Sequence, residues 1–164
     1  MVARAAGSLI LAGALVTGAS GCSLISDQAT LNHYDPSDGV SATAGTLGVR
    51  NVIALSNSDG STYSLLITMV NAAPTIATVT LQYQSGGVTT TTMKSVRSNS
   101  TASFGNVVGQ PQILIKDGGV PKGGLFPVYL QSGDAAGVQL MVPVLDGSSP
   151  QYAAFAPPES TRAP

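Results

Sequence analysis

Few side chains in this chain could do chemistry, and their spacing narrows what that chemistry could be. There is one cysteine, Cys22, and one histidine, His33, in 164 residues. A hydrolytic nucleophile needs a base held beside it. His33 lies in a polar stretch of small residues, which would hold no catalytic geometry, so a Ser-His-Asp arrangement is not expected. The acids Asp35, Asp38, Asp59, Asp117, Asp134, Asp146 and Glu159 sit mostly beside glycine or proline. Such places favour Asp for hydrogen bonds to the local backbone, so these acids read as turn residues rather than as an acid–base pair. Soft ligands for copper would be Met69, Met93, Met141 and His33. No His-x-Met or Met-x-x-Met spacing occurs, and Met69 and Met141 fall inside apolar runs where packing accounts for them. Calcium would need a dense loop of oxygen ligands, which neither Asp35/Asp38 nor Asp59 provides. The expectation is therefore no catalytic residue, no metal site, no cofactor and no small-molecule substrate.

Cys22 is different because of what precedes it. Arg4 is followed by an uncharged apolar stretch, residues 5–20, ending in Ala19-Ser20-Gly21-Cys22. A basic start, an apolar middle and a small-residue cleavage site make a secretory signal. Its apolar part is too short for the ~20 residues that span a bilayer. Because the site ends on cysteine, the segment resembles a bacterial lipoprotein signal. That resemblance implies cleavage before Cys22 and acylation of its thiol. Two or more buried acyl chains, at ~0.8 kcal/mol per CH₂, anchor a protein stably. The expected location is the extracytoplasmic face of the cell membrane, with the membrane bound through the lipid on Cys22.

The elements that would carry any site follow from the rest of the chain. Removal of residues 1–21 leaves 143, enough for one domain. Six Lys and Arg then face eight Asp and Glu, and only 9% of all residues are charged. No basic patch exists, so nucleic acid is not an expected partner. With no second cysteine there is no internal disulfide, and packing must supply the stability. A surface so poor in charge is weak at resisting association, which is consistent with a covering partner.

Residues 22–44 read as a lipidated tether, with a turn at Asp35-Pro36-Ser37-Asp38-Gly39. Residues 45–152 read as the folded domain. Strands are expected at 46–55, 62–70, 75–84, 88–96, 100–104, 112–116, 125–131 and 137–145. The alternation in 75–84 and the four threonines before Met93 favour strand over helix. Ser85-Gly86-Gly87 reads as a hairpin turn. Pro127 and Pro143 argue for edge positions or bulges. Residues 153–164 hold three prolines and read as a disordered tail. Seven or eight short strands with regular turns point to an immunoglobulin-like antiparallel β-sandwich. The glycine-rich run Gly118-Gly119-Val120-Pro121-Lys122-Gly123-Gly124 lacks the Gly-Lys-Ser/Thr end of a phosphate loop and reads as a long hairpin connection. It and the turn at 57–60 are the candidate contact loops.

Several segments together resemble the LpqE-type lipoproteins of actinobacteria. They are the cysteine signal, Val49-Arg50-Asn51-Val52, Leu66-Ile67-Thr68-Met69-Val70-Asn71, Gly124-Leu125-Phe126-Pro127-Val128, and Leu140-Met141-Val142-Pro143-Val144 followed by Tyr152 and a proline-rich end. The resemblance implies a non-catalytic accessory or binding domain with a protein partner in the envelope, including the cytochrome bc–aa3 respiratory supercomplex. The sandwich is also similar to periplasmic copper chaperones, which implies copper binding as the alternative, although their Met/His ligand pattern is missing.

Overall fold

The computed structural model describes residues 37–159, together with Gly7 and Asp35. Cys22 and His33 lie outside the described residues. The domain is all-β. Its strands are β1 (Val40–Ala44), β2 (Leu47–Ser56), β3 (Thr62–Asn71), β4 (Ala77–Ser85), β5 (Val88–Val96), β6 (Ser100–Phe104), β7 (Ile113–Lys116), β8 (Leu125–Ser132) and β9 (Val138–Asp146). The order across the curled sheet is β5-β4-β8-β9-β2-β3-β6, with β1 added on β2 and β7 on β3. Pairings are antiparallel except at one seam, where β2 and β9 run parallel over Ala54–Ser56 and Val144–Asp146. The expected antiparallel sandwich is thus present, with nine strands.

Local chemistry explains the register. Ser85 pairs with Val88, so Gly86 and Gly87 form a two-residue hairpin loop, and both have positive φ, 58° and 78°. That conformation costs glycine little, and its twist matches the flanking strands. Along β4 the buried residues Ala77, Val79, Leu81 and Tyr83 alternate with outward polar ones. Their partners on β8 and β9, including Phe126, Val128, Leu130, Val142 and Val144, fill the space between the layers with Leu65, Ile67, Met69 and Ile115 from the other side. Tyr63 meets Phe126 edge to face at 5.7 Å, a favourable arrangement of ring quadrupoles.

Three expectations need correction. Pro127 and Pro143 sit in β8 and β9, which are interior strands. Each lies just where one flanking ladder has run out. The β4–β8 pairing covers Tyr129–Ser132 of β8, and the β2–β9 pairing begins only at Val144. A residue without an N–H is tolerated there because no bond is missing. The tether boundary also moves, since Val40–Ala44 is a strand paired with β2. Finally, the tail expected to be disordered from Ala153 is docked as far as it is described. Ala153–Phe155 form a 3-10 turn, and Phe155 and Tyr152 pack with Leu145 against Ile53, Leu55 and Leu66 on the outer face of β2 and β3. The Gln112 amide donates to the Phe155 carbonyl at 3.1 Å.

Candidate functional site

The two loops singled out in the sequence, 57–60 and 117–124, meet at one end of the sandwich. β2 and β3 end on the first, and β7 and β8 flank the second. The Asp117 amide donates to the Ser61 carbonyl beside the first loop, and the Gly86 amide of the β4–β5 turn donates to the Lys116 and Asp117 carbonyls at the start of the second. Asp117 sits at φ 46°, a conformation that Asp tolerates better than most residues. The buried Tyr63 hydroxyl reaches into the long loop, donating to the Val120 carbonyl and accepting from the Val120 amide. A Cβ on Gly118 would fall 2.1 Å from the Tyr63 ring, so only glycine fits there. Lys122 ties the loops together, donating to the Ser58 carbonyl at 3.2 Å and pairing with Asp146 at 3.0 Å.

Asp146 is the most perturbed acid of this rim. Its carboxyl is held down at about 2, first by the Ser148 amide and then by Lys122 and the Ser148 hydroxyl. An acid so fully engaged by donors is an anchor rather than a proton carrier. Glu159 closes the rim from the tail, accepting from the Ser58 amide and hydroxyl at 3.3 and 2.6 Å. Beside it, Ser61, Thr62, Leu114, Lys116, Asp117 and Pro158 line a depression of about 440 Å³. The rim is a rigid surface of mixed charge with no nucleophile set against a base. It can hold a partner, but it assembles no catalytic group.

The other candidate residues are scattered. Asp35 accepts from the Ser41 amide and Asp59 from the Ser61 amide, as expected of turn acids. Asp38 accepts from the Tyr152 hydroxyl, and this bond, with burial, pushes the phenol up to about 12. That latch was not visible in the sequence, because the two residues are 114 positions apart. It stands at a second depression, where two buried amide oxygens, Asn51 Oδ1 and Asn106 Oδ1, have no partner.

The methionines do not converge. Met69 is sealed in the core, whereas Met93 and Met141 are 66% and 44% exposed. Those two lie on β5 and β9, three strand spacings apart in the sheet, roughly 14 Å at ~4.8 Å per spacing. No single ion can take both. Among the described residues there is also no group of three His, Cys, Asp or Glu able to hold a metal.

No protein-family model matches this chain. No curated protein matches it either. Solved structures do. The apo PCuAC domain of PmoF2 superposes with a TM-score of 0.51 at 14% identity, over 67% of this chain and 98% of that domain. The apo PCuAC domain of PmoF1 gives 0.52 at 12% identity, over 65% and 99%. The copper-bound PCuAC domain of PmoF2 gives 0.50 at 14% identity, over 65% and 98%. The fold is that of PCuAC domains. Likeness at this identity carries the architecture alone, and function has to come from the site. Among the described residues no helix is long and apolar enough to cross a membrane.

Proposed function

We propose that this chain is a non-enzymatic binding domain of the cell envelope, carried on the extracytoplasmic face of the membrane by acyl chains on Cys22. The observation that supports it most directly is the loop rim on a PCuAC-type sandwich. It is a rigid, cross-tied surface on which every perturbed group is already engaged with protein partners. The resemblance to LpqE-type lipoproteins adds a protein partner, with the respiratory cytochrome bc–aa3 supercomplex as the first to test. A rim of this kind suits a protein contact, since polar groups at an interface edge steer and orient more than they bind.

The copper-bound PCuAC neighbour favours a second reading, in which copper is the cargo. Copper(I) would call for methionine and imidazole donors close together. The described donors do not fit, with Met69 enclosed and Met93 and Met141 on separate strands. A copper role would therefore draw on His33. Purification of the full chain from its native membrane, with metal analysis and mass spectrometry of co-eluting proteins, separates the two. The binding-domain reading expects stoichiometric protein partners and copper far below one equivalent. One tightly held copper per chain, lost in His33→Ala, would replace it with the second reading.

A further inference from the structure

The outer face of the β5-β4-β8-β9 layer carries a feature that neither copper nor the loop rim uses. Alternation along each strand fixes which side chains face outward, and the registers align them in rows. From Thr89 to Ser95 on β5, Thr78 to Gln84 on β4, Leu125 to Gln131 on β8 and Gln139 to Pro143 on β9, no outward position carries a charge. A face of four strands without a single Lys, Arg, Asp or Glu offers no charge-assisted bond to a phosphate, a sulfate or an ammonium group.

Tyr129 stands at its centre. A Cβ built on Gly137 would fall 1.9 Å from the Tyr129 hydroxyl oxygen and 2.1 Å from the ring carbon that bears it. The ring therefore lies down over the Gly137 backbone instead of standing off the sheet, and the residue stays 37% exposed. Register puts one amide on either side of it in the same row, Gln82 on β4 and Gln139 on β9. With Gln84, Thr89 and Pro127 they enclose a depression of about 240 Å³. Gln84 spends one donor on the Thr89 hydroxyl at 2.8 Å, and the Gln139 amide donates to the Met141 sulfur at 3.8 Å. Gln82 is exposed on this face. The face thus presents an aromatic plate flanked by amides that can both donate and accept.

We propose that this face binds a neutral saccharide, with the Tyr129 ring as its platform. Each sugar hydroxyl is a donor and an acceptor, which matches a glutamine amide, whereas carboxylate or ammonium side chains match only one role. The C–H face of a sugar ring is apolar and slightly positive, and it stacks on the negative face of an aromatic ring. The lack of charge selects against anionic glycans. Gly137 is part of the device because it lets the ring lie flat. This inference stands apart from the loop rim and does not depend on which partner that end holds.

The test is titration of the full chain, in a detergent without a sugar headgroup, with neutral hexasaccharides of glucose, mannose and galactose. A polygalacturonate hexamer serves as the anionic control. Calorimetry and amide chemical shifts report binding, and sedimentation reports self-association. At least one neutral hexasaccharide should bind at millimolar or lower concentration and shift the amides around Tyr129. Tyr129→Ala should weaken it roughly tenfold or more, while Tyr129→Phe keeps most of it. Gly137→Ala, which lifts the ring while leaving every polar group in place, should also lose binding with the melting temperature little changed. No binding by any neutral probe would overturn the proposal. So would equal binding of the anionic hexamer, unchanged affinity in both Tyr129→Ala and Gly137→Ala, or self-association through this face.

Discussion

Asp146 illustrates how single residues of the loop rim act. Its carboxylate receives the Ser148 amide, the Lys122 ammonium and the Ser148 hydroxyl, so the folded state prefers it ionised at about 2 against an ordinary 3.8. A group with a depressed pKa stabilises the fold above its unfolded value and loses that contribution as pH falls through the folded value. The contribution is therefore complete above about pH 4 and fades between there and pH 2. Asp146→Asn removes the charge and one acceptor. Its melting temperature should lie below wild type by a constant margin from pH 7 to 5, and the gap should close as pH drops toward 2. Thermal melts of both proteins across that range check this, and a gap that widens in acid would refute the assignment. The effect is small, because the Lys122–Asp146 pair is open to solvent and exposed pairs are weak. The residue itself was legible in the sequence only as a turn acid. Its partner Ser148, two residues on, belongs to that same turn, but Lys122 comes from a loop 24 residues away that no local pattern connects to it.

At the scale of elements, the sequence pattern located the strands to within a residue or two at most ends. Alternation in β4, the threonine run in β5 and the double glycine between them are local signals, and local signals are what a sequence carries. Covering segments carry none. Val52, Ile53, Ala54 and Leu55 are all buried, which requires both faces of β2 to be covered. That unbroken apolar run was the one trace of a second layer over the sheet. The layer is Tyr152 and Phe155, two aromatics in a proline-rich stretch whose spacing signals no element of its own. Removal of residues 153–164 should therefore be costly. It strips the packing of the half-buried Phe155 on Ile53, Leu55 and Leu66, worth about 1 kcal/mol. It also removes the Gln112 and Ser58 contacts. The truncated chain should melt about 5 °C or more below the full one. A melting temperature unchanged by truncation would mean that the tail only rests on the sheet. The candidate site was legible in the same partial way. The loops 57–60 and 117–124 stood out by composition, but their meeting depends on β3 pairing with β7, a contact that joins segments about fifty residues apart.

At the scale of the whole molecule, charge, anchor and fold constrain one another. A chain that is 9% charged, with one cysteine and no internal disulfide, depends on its core for stability and on its surroundings for solubility. If, as proposed, the chain is held at a membrane, its surroundings can cover part of that weakly charged surface. The same surface leaves a four-strand face neutral, which a freely diffusing protein would more often break up with charged residues. Attachment through acyl chains would run through Cys22, so its substitution is the decisive test at this scale. In Cys22→Ser the hydroxyl cannot form the thioether that carries the diacylglyceryl group. The variant should then be found either uncut, with residues 1–21 still attached, or free of the membrane fraction. Intact mass spectrometry should show the lipid mass on wild type and its absence from the variant. The folded domain should melt at the same temperature in both. A Cys22→Ser protein that is still cut before residue 22 and still sediments with membranes would mean that attachment comes through the domain surface. The neutral face and the loop rim would then be the places to look for it.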